Sequence, residues 1–294
     1  MTHAGVKLGL VLTAVVLGSS HLKGSLERTQ AAQSQAIQVG QQEPQFRPQV
    51  VQLQAELLNC QASRGGIRVA FKGTNLMPNV RGDVKAKSDR GSTIIEAKFE
   101  NLPSPTTLGE QYMTYVLWTM TAKDHPVRIG ELEVKDSRGI LNQQTALQVL
   151  ALFVTVEPYI EVSQPSNLVV LEQIVPNEVP AANTGIMAKA DLVRDAYAPV
   201  GYTYEPMVVG IGQPLIFRQA LNARRIATIA RAELYAPKEY KAAESLYQLV
   251  LDSVLEKKKP GKGDSINALT VIRQYELARA ASVAQQNRRR QSSP

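Results

Sequence analysis

Val51-Gln52-Leu53-Gln54-Ala55-Glu56-Leu57 alternates apolar and polar residues at every step. A strand turns successive side chains to opposite faces, so this stretch places Val51, Leu53, Ala55 and Leu57 on one buried face and its polar residues in water. The same period of two recurs at Ile67, Val69 and Phe71, and again at Ile95, Ala97 and Phe99. Further strands are predicted through Tyr112 to Met120, Val127 to Val134, Gln148 to Val156 and Leu168 to Val175. Turn residues stand between them, as in Arg64-Gly65-Gly66, Asp89-Arg90-Gly91, Pro103-Ser104-Pro105 and Asp136-Ser137-Arg138-Gly139. About seven short strands punctuated in this way predict an antiparallel, Ig-like β-sandwich over residues 50–178. Trp118, the only tryptophan, lies in the most apolar of these runs and reads as a core anchor.

After Pro214 the period becomes helical. Ala220, Ala223, Ala227, Ala230 and Leu234 form one stripe, Tyr240, Ala243, Tyr247, Val250 and Val254 a second, and Ala268, Val271, Tyr275, Ala278 and Ser282 a third. Pro237 suits the first turn of the second helix, and Pro260-Gly261-Lys262-Gly263 separates it from the third. Short connections between amphipathic helices predict an antiparallel helical hairpin or three-helix bundle over residues 214–287. The expected fold class is therefore α+β with two segregated domains. Residues 179–213, with several prolines and glycines, read as a linker or edge strands, and 288–294 as a basic tail.

The N-terminus reads as an export signal. Lys7 precedes the apolar run Leu8 to Gly18, which ends in the small residues Gly18, Ser19 and Ser20. The run is shorter than the roughly 20 apolar residues that span a bilayer. Residues 1–20 are thus expected to be a signal peptide, cleaved after Ser20 or later near Ala32 and Ala36, with no integral span afterwards; retention of residues 8–20 as an uncleaved anchor is the alternative. Residues 21–49, rich in glutamine, read as a flexible spacer. This implies a periplasmic or outer-membrane-associated protein. The single Cys60 is read as a small hydrophobe at a strand end.

Two resemblances agree with that setting. Ala223-Arg224-Arg225-Ile226-Ala227, Tyr235-Ala236-Pro237-Lys238-Glu239-Tyr240 with Ala243 and Leu246, and Ala268 through Ala281 resemble a family of periplasmic helical-hairpin domains often found before a peptidoglycan-binding OmpA-type domain. The resemblance covers roughly residues 218–286. No OmpA-type domain follows in this sequence, so its peptidoglycan binding is not carried over. Leu102-Pro103, Tyr115-Val116-Leu117-Trp118, Gly130-Glu131-Leu132 and Phe153 to Pro158 are similar to the extracytoplasmic domain of anti-sigma factors, which implies a sandwich and an envelope setting.

Chemistry is sparse. Only His3, His21 and His125 are present, so a zinc site or a Ser-His-Asp triad lacks its ligands or its imidazole. No catalytic residue, metal or cofactor is expected. The carboxylates Glu96 and Glu100, or Glu131 and Glu133, offer a glycosidase-type pair only as an alternative to a solvated sheet face. Charge is uneven: residues 214–294 hold 15 Lys/Arg against 7 Asp/Glu, a balance of +8, whereas the preceding residues hold 18 against 19, a balance of −1. Lys257, Lys258, Lys259, Arg288, Arg289 and Arg290 are the candidate polyanion-binding residues. The expected function is a non-catalytic envelope adaptor whose partner is a protein or an anionic cell-wall or lipid surface, with homo-oligomerisation through the helices open to it and no nucleic-acid partner. A cell-wall glycan hydrolase and an anti-sigma-like sensor are the alternatives.

Overall fold

The computed structural model describes residues 45–122, 125–175, 180–207, 214–256 and 261–292. Their strands are β1 (Gln49–Asn59), β2 (Ile67–Gly73), β3 (Arg81–Asp89), β4 (Ser92–Glu100), β5 (Thr114–Met120), β6 (Val127–Glu131), β7 (Glu133–Lys135), β8 (Arg138–Thr145), β9 (Val149–Glu157), β10 (Val169–Gln173) and β11 (Asn183–Arg194). The helices are α1 (Leu215–Ile229), α2 (Ala232–Tyr235), α3 (Pro237–Glu256) and α4 (Lys262–Ser292). The signal-like residues 1–20 and the spacer lie outside the described residues.

The strands form one antiparallel sheet that nearly closes into a barrel, and this corrects the predicted sandwich. A path runs β5-β9-β10-β2-β3-β4-β8, and its two ends are stitched by a single stretch of chain. β6 pairs with β5 as far as Glu131, and β7, beginning at Glu133, pairs with β8 instead. Leu132, fully buried between them, is where the chain changes partner. Alternation could not reveal this closure, because sandwich strands and barrel strands both bury every second side chain. β3 also escapes a hydrophobic reading: only Val84 and Ala86 of Arg81–Asp89 are buried. The interior is apolar, with Ile67, Val69, Phe71, Val84, Ile95, Phe99, Tyr115, Leu117, Leu152 and Val154 in one cluster. The Phe71 and Phe99 rings meet edge to face at 5.3 Å.

The helical part is not segregated either, since residues 44–294 form one compact unit. All seven residues of β5 are buried, because both of its faces are covered. Tyr115 and Leu117 point into the barrel, while Val116, Trp118 and Met120 join Ala151 and Phe153 in a second core. That core is shared with Leu57 of β1, with Ala188, Ala190 and Leu192 of β11, and with helical residues including Ala223, Ile226, Tyr275 and Ala278. A strand buried on both faces reads as a near-continuous apolar run, which Tyr115–Met120 shows with Thr119 as its one polar residue.

β1 reaches across both layers. It pairs with β11 from Gln49↔Arg194 to Glu56↔Met187, shifts register, and then pairs with β9 through Leu58 and Asn59. β11, an edge strand of 12 residues, thus takes up about a third of residues 179–213, the stretch read as a linker or edge strands. In the helices, Ala268, Val271, Tyr275, Ala278 and Ser282 are all buried, and α4 packs against both α1 and α3. Leu234 leaves its predicted stripe and is 57% exposed. Arg231, at φ 54°, turns the chain after α1, so Leu234 belongs to the separate one-turn α2.

Candidate functional site

The sequence-predicted cations are only partly together. Lys257, Lys258 and Lys259 lie outside the described residues. Arg288, Arg289 and Arg290 are exposed on the last turns of α4, where cations complement the helix dipole. Two of them are also bound into the fold. Arg290 Nη1 donates to the Phe46 carbonyl at 3.2 Å, and the Arg289 guanidinium lies 5.0 Å from the centre of the Tyr235 ring. Arg288 donates to Gln285 Oε1 at 2.8 Å. At about 1.5 Å per residue, they stand roughly 39 Å from Lys262, where α4 begins.

The predicted carboxylates separate in a different way. Glu96, Glu131 and Glu133 line one depression of about 530 Å³ between β4, β8 and the β6–β7 crossing, and Glu100 is not among its walls. Glu131 accepts short hydrogen bonds from Thr114 Oγ1 and Gln219 Nε2. Burial raises its carboxyl above the usual range, and these two bonds partly offset the rise. Glu133 is exposed, because the change of partner at Leu132 separates the environments of the two residues. His125 lines a different depression beside Pro126, Lys189 and Asp191. Cys60 is buried at the end of β1, and burial pushes its thiol up to about 11, which keeps it protonated and unreactive.

The densest polar arrangement lies where the sheet meets the helices, and the sequence reading missed it. Glu276 and Arg279 of α4 are 2% and 6% exposed and pair bidentately, with both bonds at 2.7 Å. Glu276 also accepts from Tyr159 Oη at 2.6 Å and from Ser163 Oγ at 2.6 Å, while Arg279 donates to the Ala196 carbonyl and stacks on Tyr197. Burial alone would raise the Glu276 carboxyl, but the Arg279 charge and these hydrogen bonds hold it below the usual value. Glu157, fully buried at the end of β9, accepts from Thr155 Oγ1 at 2.5 Å and from the Ser166 amide at 2.7 Å. Thr155 in turn accepts from Trp118 Nε1 at 2.8 Å. Burial pushes the Glu157 carboxyl up to about 8, so it is mostly protonated at neutral pH.

Two outer ties reinforce this junction. Glu161 pairs with Arg128 of β6 and Arg273 of α4, each at 3.0 Å. Gln219 of α1 accepts from the Ile160 amide while donating to Glu131. The signal for the network was in the third stripe: Glu276 and Arg279 each stand one residue after a stripe position, Tyr275 and Ala278, and so widen its buried face. Chemically, the arrangement is a set of struts whose polar atoms, Glu157 Oε2 excepted, bond to groups of the same unit, while Ser163, Ala196, Tyr197 and Arg279 also border a depression of about 350 Å³.

No helix among the described residues is long and apolar enough to cross a membrane. No group of three His, Cys, Asp or Glu suited to a metal occurs among them. Neither a protein-family model, a curated protein nor a solved structure matches the chain.

Proposed function

We propose that this protein is a non-catalytic adaptor of the bacterial cell envelope, which holds a β-barrel-like sheet and a helical layer in fixed relation and recognises partners by surface charge and shape. The observation that carries this reading is the Glu157, Glu276 and Arg279 network. Its buried polar groups, a mostly protonated Glu157 and the Glu276–Arg279 ion pair, tie the end of β9, the loop after it and α4 together. The signal-like residues 1–20 and the resemblance of residues 218–286 to periplasmic helical hairpins support the setting. Fractionation of producing cells tests it: the polypeptide should occur in the envelope fraction without residues 1–20, and salt should release it in folded form. Intact, unprocessed chain in the cytosol would refute the setting.

A second reading, a glycan hydrolase, is favoured only by the depression shared by Glu96, Glu131 and Glu133 with the raised carboxyl of Glu131. It predicts that purified protein releases reducing ends from cell-wall glycan and that Glu131→Gln abolishes the release. Equal release, or none, from both proteins would remove it.

A further inference from the structure

One end of the barrel carries a depression of about 360 Å³, set between the loop that follows β4, the start of β5, the β6–β7 crossing and the first turn of α1. Leu102, Pro103, Pro105, Met113, Val134 and Leu215 make its walls largely apolar. The hydroxyls of Ser104, Thr106, Thr114 and Tyr115 are already engaged: Ser104 and Thr106 bond each other at 2.7 Å, Tyr115 Oη donates to the Pro103 carbonyl at 2.7 Å, and Thr114 donates to Glu131. Arg218, on the first turn of α1, is the only charged residue among the described walls. Its guanidinium makes no hydrogen bond, ion pair or ring contact with the described residues, although Nε is buried. A buried donor without a partner is unfavourable and uncommon in a folded protein. Nε is sealed in, whereas the Nη ends remain open at the depression. Nearby carboxylates leave this charge in place. Glu131 is taken by Thr114 and Gln219 and borders the separate depression with Glu96 and Glu133, while Asp136 is exposed at a turn flanked by Lys135 and Arg138.

We propose that this depression binds a small monocarboxylic acid with an apolar body, its carboxylate on the Arg218 Nη groups and its hydrocarbon part against Leu102, Pro105 and Val134. A guanidinium presents a planar fork of N–H donors that matches a carboxylate. One cation among walls without an anion balances a single negative charge, whereas a phosphate dianion would bring a second charge with no partner into mainly apolar surroundings. Ligand cavities pair a mostly apolar lining with a few polar anchors, and this one lies within their usual range of about 300–1,000 Å³. The inference goes beyond the adaptor reading and does not depend on it, since purified protein should bind the acid whatever compartment it comes from.

The test titrates octanoate calorimetrically into the purified full chain at neutral pH, with 1-octanol, acetate and inorganic phosphate as comparison probes. Octanol lacks the charge, acetate lacks the apolar body, and phosphate lacks the body and carries more than one charge. The expected result is saturable binding of one octanoate per chain, about tenfold or more tighter than any comparison probe. Arg218→Gln should weaken octanoate by about ten- to a hundredfold, the worth of hydrogen bonds to a charged group, and leave the response to octanol unaltered. Arg218→Lys, which keeps the charge but loses the fork, should bind with intermediate affinity. Because the guanidinium has no partner in the fold, neither substitution should move the thermal midpoint by more than about 2 °C. Val134→Trp, at a wall position that is 40% exposed, should abolish octanoate binding by filling the depression with Arg218 still in place, and it carries the decision should Arg218→Gln lower the midpoint further. Absence of saturable octanoate binding, equal affinity for any comparison probe, undiminished binding by Arg218→Gln, or full binding by Val134→Trp would overturn the proposal.

Discussion

Glu157 and Glu276 belong to one buried cluster, yet their proton affinities move in opposite directions because only Glu276 has a cation beside it. Glu157 titrates near 8 in the fold against an ordinary 4.5, so the folded state holds its proton more tightly than the unfolded chain. Its contribution is complete below about pH 4.5 and is lost as pH rises through 8; at about 1.4 kcal/mol per unit, the full loss is on the order of 5 kcal/mol. Glu276 has the opposite sign: its contribution is present above its unfolded value and is lost as pH falls through its lowered folded value. Stability should therefore peak in weakly acidic solution. Glu157→Gln, which keeps a neutral side chain of the same shape, should flatten the alkaline limb in urea titrations between pH 5 and about 9. An unaltered limb would show that another group governs it. Glu276→Ala leaves the Arg279 charge buried without its partner and should cost about 3–5 kcal/mol by the same measurement. Trp118 was legible as an anchor because it closes the apolar run Tyr115-Val116-Leu117-Trp118. Glu157, Glu276 and Arg279 were not, because a charged residue beside a stripe looks the same whether it faces water or a second layer.

At the scale of elements, periodicity located the helices and most of the apolar strands, and it failed where pairing depends on partners distant in sequence. β11 carries only Ala188, Ala190 and Leu192 as its buried alternation, too weak a pattern to stand out among prolines and glycines; its long register with β1 orders it. β3 and β8 are likewise held by neighbours on both sides and contribute few apolar residues of their own. Closure of the sheet turns on Leu132, whose side chain fills the junction between β6 and β7. Leu132→Ala should destabilise the protein by about 2–5 kcal/mol. Hydrogen exchange should then accelerate first in Val127–Glu131 and Glu133–Lys135, the two strands that meet there. Uniform acceleration across all strands would show that Leu132 is ordinary core and not the seam. Gly82 marks another point where pairing is tight: a Cβ there would lie 2.1 Å from the Lys98 carbonyl oxygen, so Gly82→Ala has no room between β3 and β4.

For the whole molecule, the second core makes the helices part of the sheet's own burial. Val116, Trp118 and Phe153 share one core with Ala223, Ile226 and Tyr275 of the helices and with Ala188, Ala190 and Leu192 of β11, so detaching the helical layer would open that core. Residues 44–294 should consequently unfold as one cooperative unit. Trp118 provides a direct report, being the only tryptophan and lying on the face that the helices share, while ellipticity at about 222 nm reports α1, α3 and α4 themselves. The most direct measurement is urea unfolding followed by both signals on the same samples. Coincident transitions with one midpoint are predicted; loss of helical ellipticity at a lower urea concentration, with Trp118 still in its folded environment, would contradict the account.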